Sequence, residues 1–186
     1  MSTVTSERTD IQESRWEVFK QDTPKKPHQA VGSVHASDPE HALLTARNIF
    51  VRRPNAVSLW VVPVNEIFSR TAEELAGGLE SPNPSNAETH PYLIFRKTGH
   101  RRGLTFVDHV GEVEAVSPEQ ALSQALDSFA DEDAVAWWVV PASAVVRSDE
   151  DVVESWFEPA KTKTYKQQSA YGLVGTHPGE RGRGRD

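Results

Sequence analysis

Two stretches of the chain carry the same order of apolar and polar positions. The first runs from Val31 to Pro63 and the second from Val110 to Pro141. In each, a mixed segment with a glycine leads to a proline, then to apolar residues at helical spacing, and then to an apolar run with a tryptophan. Matching positions stay 79 apart through the helix and 78 apart at the tryptophans. The chain is therefore one folding unit that occurs twice.

Each copy predicts one helix. Asp38 and Ser117 supply a side-chain acceptor at the N-cap, and a proline follows at the first helical position, where its missing N–H costs nothing. In the second copy Gln120 completes a capping box. Apolar residues at helical spacing then give each helix one buried face: Ala42, Leu43, Ala46, Ile49 and Phe50 in the first copy, and Ala121, Leu122, Ala125, Leu126 and Phe129 in the second.

Strands are predicted on both sides of each helix. Trp16 and Val18 alternate with Arg15 and Glu17 before Phe19, which predicts a strand. A better strand follows at Gln29 to Ala36, and Tyr92 to Phe95 opens the second copy.

The strand after each helix differs from these. Residues 57–62 and 134–140 are apolar almost without alternation, which is typical of a strand covered on both faces. A proline then ends or bulges the strand, and residues 64–68 and 142–146 predict a short continuation.

The predicted fold class is α+β: two tandem strand-strand-helix-strand units of the ubiquitin-like roll type that form a pseudo-dimer, with a C-terminal extended strap. Each copy of roughly 65 residues is near the lower size limit for a stable core, so the copies should share a buried face. We expect a disordered arm at 1–13, a first unit at 14–75, a linker at 76–90, a second unit at 91–150, a helix and docking strap at 151–172, and a disordered tail at 173–186.

The segment after the second unit has two interpretations. Residues 149–157 predict a short helix, and the chain to Tyr171 then has spaced aromatics and lysines without a period. Such a segment is either a flexible tail or a strap that becomes ordered against a partner. In the Arg-Gly tail that follows, disorder is favoured over nucleic-acid binding.

The amino-acid composition excludes several kinds of site and partner. The chain has no cysteine, which excludes disulfides, a thiolate nucleophile and cysteine-ligated metals. A net charge of −7 argues against a nucleic-acid partner. No run approaches the ~20 apolar residues that span a bilayer. We therefore expect a cytoplasmic protein without nucleic-acid or membrane partners.

Motifs for catalysis are not found in the sequence. The seven histidines do not form a metal-binding pair at helical spacing, and neither a phosphate loop nor a nucleophile elbow occurs. His35 is best explained as a polar strand-edge residue, since its counterpart is Glu114. We therefore predict no catalytic, cofactor-binding or metal-binding residue. Arg52 and Arg53, whose counterparts are Asp131 and Glu132, either favour the helix C-terminus or serve in recognition.

Several of these segments together resemble a known family. They are Val31-Gly-Ser-Val-His-Ala36, the pair Arg52-Arg53, the strand Ser58-Leu-Trp-Val-Val62, and the strap Trp156-Phe-Glu-Pro-Ala-Lys-Thr-Lys-Thr-Tyr165. In this order they look like the small B subunit of the multicomponent phenylacetyl-CoA epoxidase. The similarity covers most of both units and the strap.

The resemblance implies a small, non-catalytic α+β subunit without cofactors. It would bridge a di-iron catalytic subunit and its structural partner, while a separate reductase supplies electrons and oxygen enters the ring of an aromatic CoA thioester. The residues expected to bind these partners are Arg52, Arg53, Trp156, Phe157, Pro159, Lys163, Tyr165 and Tyr171.

Fusion distinguishes this chain from family members with one unit. The Gly-Ser-Val-His motif and Arg52-Arg53 occur only in the first copy, whereas the Phe-x-Pro-Ala strap occurs only in the second. We expect an asymmetric surface, with the arginines on one side and the strap on the other. Two alternatives remain: a regulatory domain that binds a small effector at the seam between the copies, and an independent enzyme.

Overall fold

A computed structural model describes residues 13–51, 56–78, 88–99, 107–148 and 155–158. The first half contains β1 (Ser14–Gln21), β2 (Gln29–Ala36), α1 (Pro39–Phe50), β3 (Ser58–Pro63), a 3₁₀ turn (Val64–Glu66), β4 (Phe68–Thr71) and α2 (Ala72–Ala76). The second half contains β5 (His90–Thr98), β6 (Asp108–Ala115), α3 (Pro118–Ser128), β7 (Ala134–Pro141), a 3₁₀ turn (Ala142–Ala144) and β8 (Val146–Arg147). Residues 155–158 form a helical turn.

The strand-strand-helix-strand order is confirmed in both halves. In the first, β1 lies between β2 and β3, and in the second β5 lies between β6 and β7. The described strands form one antiparallel sheet in the order β4-β7-β5-β6-β2-β1-β3-β8. The α+β class is confirmed, and the assignment of each unit to the ubiquitin-like roll stays a prediction.

The last strand of each half pairs with the other half. β4 follows β3 after only four residues, yet the two strands stand near opposite ends of the strand order. β4 pairs with β7, and β8 pairs with β3. The pairs Val61↔Val146 and Phe68↔Val139 occupy equivalent positions of the repeat. The ends of the sheet must therefore curl toward each other, because four residues span at most ~14 Å.

This exchange corrects the predicted strand continuation at residues 64–68 and 142–146. After Pro63 and Pro141 the chain enters a 3₁₀ turn, closed in the first half by the Ile67 N–H, which donates to the Val64 carbonyl at 3.2 Å. Proline cannot donate to the ladder, so the strand ends there. The turn then redirects the chain to the other unit.

Apolar side chains form three cores. One lies under α1 and another under α3. The third lies between the two halves, and its buried members are Phe19, Ala30, Val62, Leu93, Phe95, Val107 and Val140. Because β3 and β7 contribute to a helix core on one face and to the shared core on the other, the prediction that these strands are covered on both faces is confirmed.

A pseudo-twofold axis passes between β2 and β6. Gln29 lies opposite its own repeat counterpart Asp108, and the Gln29 amide donates to the Asp108 carboxylate at 2.6 Å. On either side, the Ala30 N–H donates to the Val107 carbonyl at 3.0 Å and the His109 N–H donates to the His28 carbonyl at 2.8 Å. These two backbone bonds are equivalents of each other, so the halves meet as a pseudo-dimer.

Both helices begin at the predicted N-caps. The structure differs from the sequence prediction at one cap, that of α3, and at one position of the buried stripe of α1. Asp38 accepts from the His41 N–H at 2.8 Å, as expected for an N-cap. Ser117 accepts from the Gln120 N–H, but the Gln120 side chain accepts from Val116 rather than from Ser117, so the capping box closes one residue early. Ile49 is 45% exposed and lies outside the buried stripe.

Replacing Gly111 tests how closely α3 packs on the sheet. A Cβ at Gly111 would overlap the ring of Phe129, the C-cap residue of α3. We expect Gly111→Ala to lower the free energy of unfolding by about 1–3 kcal/mol through overpacking, as measured by urea denaturation. In the double variant with Phe129→Leu, much of the loss should be recovered. A Gly111→Ala protein as stable as wild type would contradict this packing.

Candidate partner-binding site

The helical turn at residues 155–158 docks on the first unit of its own chain. Phe157 is 3% exposed and belongs to the core under α1. Trp156 is half-buried beside it, and the Arg47 guanidinium lies 5.2 Å from the centre of its ring. A cation over an aromatic face is attracted by the ring quadrupole. The pair therefore fixes the start of the predicted strap to α1.

The remaining residues that we predicted to bind partners lie outside the described residues. They are Arg52, Arg53, Pro159, Lys163, Tyr165 and Tyr171. Val51 comes directly before Arg52-Arg53, and Phe157 lies at the start of the predicted strap. Both belong to the core under α1. Arg52-Arg53 and the strap beyond Glu158 lie outside the described residues, so the expectation that they lie on opposite sides stays a prediction.

A cluster of rings occupies the seam between the halves. His28 stacks on Trp60 with 3.4 Å between ring centres, and His109 meets the edge of Trp60 at 5.4 Å. The Arg147 guanidinium lies 5.2 Å from the centre of the same ring. The His28 Nε2 lies 3.0 Å from the Ser58 hydroxyl oxygen. Trp60 thus holds together side chains from both halves.

Both seam histidines are held neutral. Burial lowers the pKa of His28 to about 3, and His109 and Arg147 act in the same direction. Burial also lowers the pKa of His109, against the opposing effect of Glu112. Uncharged imidazoles suit a packed interior, where a charge would lose its hydration. Their repeat counterparts are Val107 and Ala30, so the repeat carried no signal for this cluster.

Glu17 is a buried carboxyl on the inner side of β1. It is 5% exposed, and its Oε1 has no hydrogen-bond partner among the described residues. Burial raises its pKa to about 7, although Arg15 opposes the shift. At the matching register of β5 the second half has Leu93, which lies in the shared core. The alternation in the sequence does not indicate this burial, because it arises where the other half covers that side of β1.

Two cavities lie away from these rings. One of about 530 Å³ is lined by residues of α2, the end of α3 and β7, and one of about 300 Å³ lies near the Val64–Glu66 turn. Within the described ranges, no three His, Asp or Glu side chains gather where they could hold a metal ion. None of the helices described is long and apolar enough to cross a membrane.

Fold and site together define a class of protein: a tandem α+β pseudo-dimer with exchanged edge strands and an aromatic anchor at its C-terminal extension. The family model described as "Phenylacetic acid degradation B" matches the chain twice, at residues 12–89 and 88–178. The chain belongs to this family, so the resemblance found in the sequence is confirmed. It is also similar to the B subunit of 1,2-phenylacetyl-CoA epoxidase from Escherichia coli (strain K12), with 38% identity over 76 residues, 41% of this chain and 79% of that protein. No solved structure matches the chain.

The buried Glu17 gives stability a specific pH dependence. Its pKa is raised from the ordinary 4.5 to about 7, so the folded state holds the proton more tightly. Its contribution is therefore fully present below the ordinary pKa and is lost as pH rises through the folded value. Relative to Glu17→Gln, wild type should lose up to about 3 kcal/mol between about pH 4 and pH 8.

Urea denaturation of both proteins across this range measures the difference. The histidines, whose lowered pKa values favour folding at higher pH, are common to both proteins and cancel. Glu114→Gln, at an exposed position of β6, serves as the matched control and should follow wild type. Parallel curves for wild type and Glu17→Gln would show that Glu17 titrates normally.

The aromatic anchor should contribute to folding stability. Phe157→Ala empties a buried site in the core under α1, and we expect a loss of about 3 kcal/mol. Trp156→Ala should cost less because that ring is only half-buried. Glu158→Ala, at an exposed neighbour, is the control and should unfold as wild type does. If Phe157→Ala and Glu158→Ala had equal midpoints in thermal unfolding, the turn would not be anchored.

Proposed function

We propose that this protein is a non-catalytic bridging subunit of a multicomponent di-iron oxygenase in phenylacetate catabolism, acting in the cytoplasm. The proposal rests above all on the family match, which occurs once in each half of the chain. In it the protein joins the catalytic di-iron subunit to that subunit's structural partner, and the complex epoxidises the ring of phenylacetyl-CoA or a related aromatic thioester. The units are those at 14–75 and 91–150.

The geometry around α1 supports a role in docking. Phe157 is seated in the first unit's core, so the lysine-containing segment that follows it starts from a fixed point. Arg52 and Arg53 follow Val51, which is buried in that same core. Val51 and Phe157, which precede the two basic stretches in the sequence, thus lie in one core. Since charged and aromatic side chains on a fixed support favour recognition of an acidic partner surface, we propose this region as the contact with the oxygenase subunits.

The side chains that lie between the two halves support a structural role for the seam. The seam histidines are uncharged, and both stack or pack against the ring of Trp60. Burial raises the pKa of Glu17 to about 7, and its partner on β3, Val62, lies in the shared core. These groups fill the space between the halves, where an effector would have to bind in the alternative regulatory function. We therefore propose the seam as a structural core.

Two variants test the docking region without removing the buried anchor. One is a truncation after Glu158, which keeps Phe157, and the other is the double charge reversal Arg52→Glu/Arg53→Glu. Each should weaken association with the co-expressed catalytic and structural oxygenase subunits at least about tenfold, as expected for loss of several interface residues. Affinity capture and sedimentation velocity measure the association.

Lys25→Glu/Lys26→Glu is the matched control. It makes the same change of charge at exposed positions of the β1–β2 turn, where the Lys26–Asp22 pair is a surface contact worth little. This variant should bind as wild type does. The proposal fails if the chain does not associate with the oxygenase subunits, and the docking region is wrong if they bind all variants equally.

A further inference from the structure

A small cavity lies beside the first turn of α3, where the chain crosses from β3 to β4. Its volume is about 300 Å³, and the residues that line it all belong to the described part of the chain: Asn65, Glu66, Ile67, Phe68, Tyr92, Pro118 and Pro141. Asn65 and Glu66 are exposed, whereas the other lining residues are partly or fully buried. A cavity at the small end of the range for ligand sites suits a single side chain.

Tyr92 brings a polar group to this mostly buried wall. Its side chain is only 7% exposed and packs in the core under α3. The Tyr92 hydroxyl makes no hydrogen bond with any residue that the structure describes. Burial raises the pKa of Tyr92, and Glu119 adds to the shift, so at neutral pH the hydroxyl can accept a hydrogen bond as well as donate one. A polar group that enters the cavity would supply the missing partner.

The first unit has a polar group at the same position, but there it is paired. Trp16 is the counterpart of Tyr92, because Trp16 lies opposite Pro63 as Tyr92 lies opposite Pro141. The Trp16 indole N–H donates to the Ala36 carbonyl at 3.2 Å. The hydroxyl without a partner is therefore a feature that distinguishes the second unit from the first.

Two carboxylates lie near the Tyr92 hydroxyl. Glu66 is exposed at the rim of the cavity, and the Asn65 amide donates to its carboxylate at 3.3 Å. Glu119, in the first turn of α3, is close enough to act on the Tyr92 hydroxyl. The repeat counterpart of Glu66 is Ala144, so this charge is also absent from the equivalent position. A negatively charged rim favours a cationic group.

The rest of the lining is apolar. Four residues form it: Ile67, Phe68, Pro118 and Pro141. The Arg70 guanidinium lies 4.2 Å from the centre of the Phe68 ring, and the carboxylates of Glu66 and Glu119 outnumber this cation. A lysine or arginine side chain has an apolar stem and a charged head, which matches an apolar wall next to carboxylates.

We propose that this cavity binds one lysine or arginine side chain of a different protein. The stem of that side chain packs on Ile67 and Phe68, and its head donates hydrogen bonds to the Glu66 carboxylate and the Tyr92 hydroxyl oxygen. Because Glu66 is exposed, the head can be delivered from the surface of another chain. The site shares no residue with the docking region around α1 and does not depend on which enzyme the protein assists.

Capped amino acids are suitable probes. N-acetyl-lysine methylamide and its arginine analogue carry both stem and charged head, the norleucine analogue carries the stem alone, and the glutamate analogue carries the opposite charge. Titrated at constant ionic strength into the full-length protein labelled with ¹⁵N, the basic probes should shift the amide signals of Ile67, Phe68 and Tyr92 and approach saturation by about 50 mM. The norleucine and glutamate probes should bind at least about fivefold more weakly, because neither has a cationic donor.

Two variants of the cavity locate the binding. Tyr92→Phe keeps the ring and removes the hydroxyl, and it should weaken binding of the lysine probe about fivefold. Since that hydroxyl has no described partner, the midpoint of urea denaturation should not fall. Glu66→Gln should weaken binding about threefold or more, as expected for loss of one exposed ion pair. Glu73→Gln, at an exposed position of α2 that does not line the cavity, makes the same change of charge and should bind as wild type does.

Three results would overturn the proposal. The first is no saturable shift with either basic probe, and the second is binding of the norleucine or glutamate probe as tight as that of lysine. The third is self-association of the protein that Tyr92→Phe removes, because the occupant would then be a second copy of this chain. Circular dichroism of each variant establishes that it is folded. Failure to bind oxygenase subunits would leave these outcomes unchanged, so the two proposals fail separately.

Discussion

The exchange of edge strands is the constraint on which the rest of the structure depends. β4 completes the sheet of the second unit at β7, and β8 completes that of the first at β3. Neither half has its full set of strands without the other. The exchange also curls the sheet around the side chains between the halves, where Phe19 and Phe95 meet with 4.3 Å between ring centres. A core of this kind exists only in the joined molecule, which is how two short units together bury enough apolar surface to fold.

Sequence periodicity predicted the units, helices and main strands because burial of one face leaves a regular trace in the chain. It did not predict the exchange, since the direction in which the chain leaves Pro63 depends on packing between distant residues. The same cause explains Glu17. Alternation correctly assigned it to the side of β1 opposite Trp16, but it could not show that the other half covers that side. Seam histidines were missed because their counterparts, Val107 and Ala30, are not polar.

The candidate site was predicted in part. Trp156 and Phe157 were predicted to bind a partner. The structure packs them against the core under α1 of the same chain, and their role in partner binding stays a prediction. Aromatic spacing indicates that a segment docks and does not indicate on what.

The pair at the pseudo-twofold axis has a further consequence. In a dimer of identical chains, a residue on the axis must face itself, so two copies of the second unit would set Asp108 against Asp108, and two copies of the first would set Gln29 against Gln29. Here one position donates and the other accepts, a combination open only to unlike halves. A homodimer of the second unit would set two carboxylates against each other on the axis, so this pair favours the association of unlike halves.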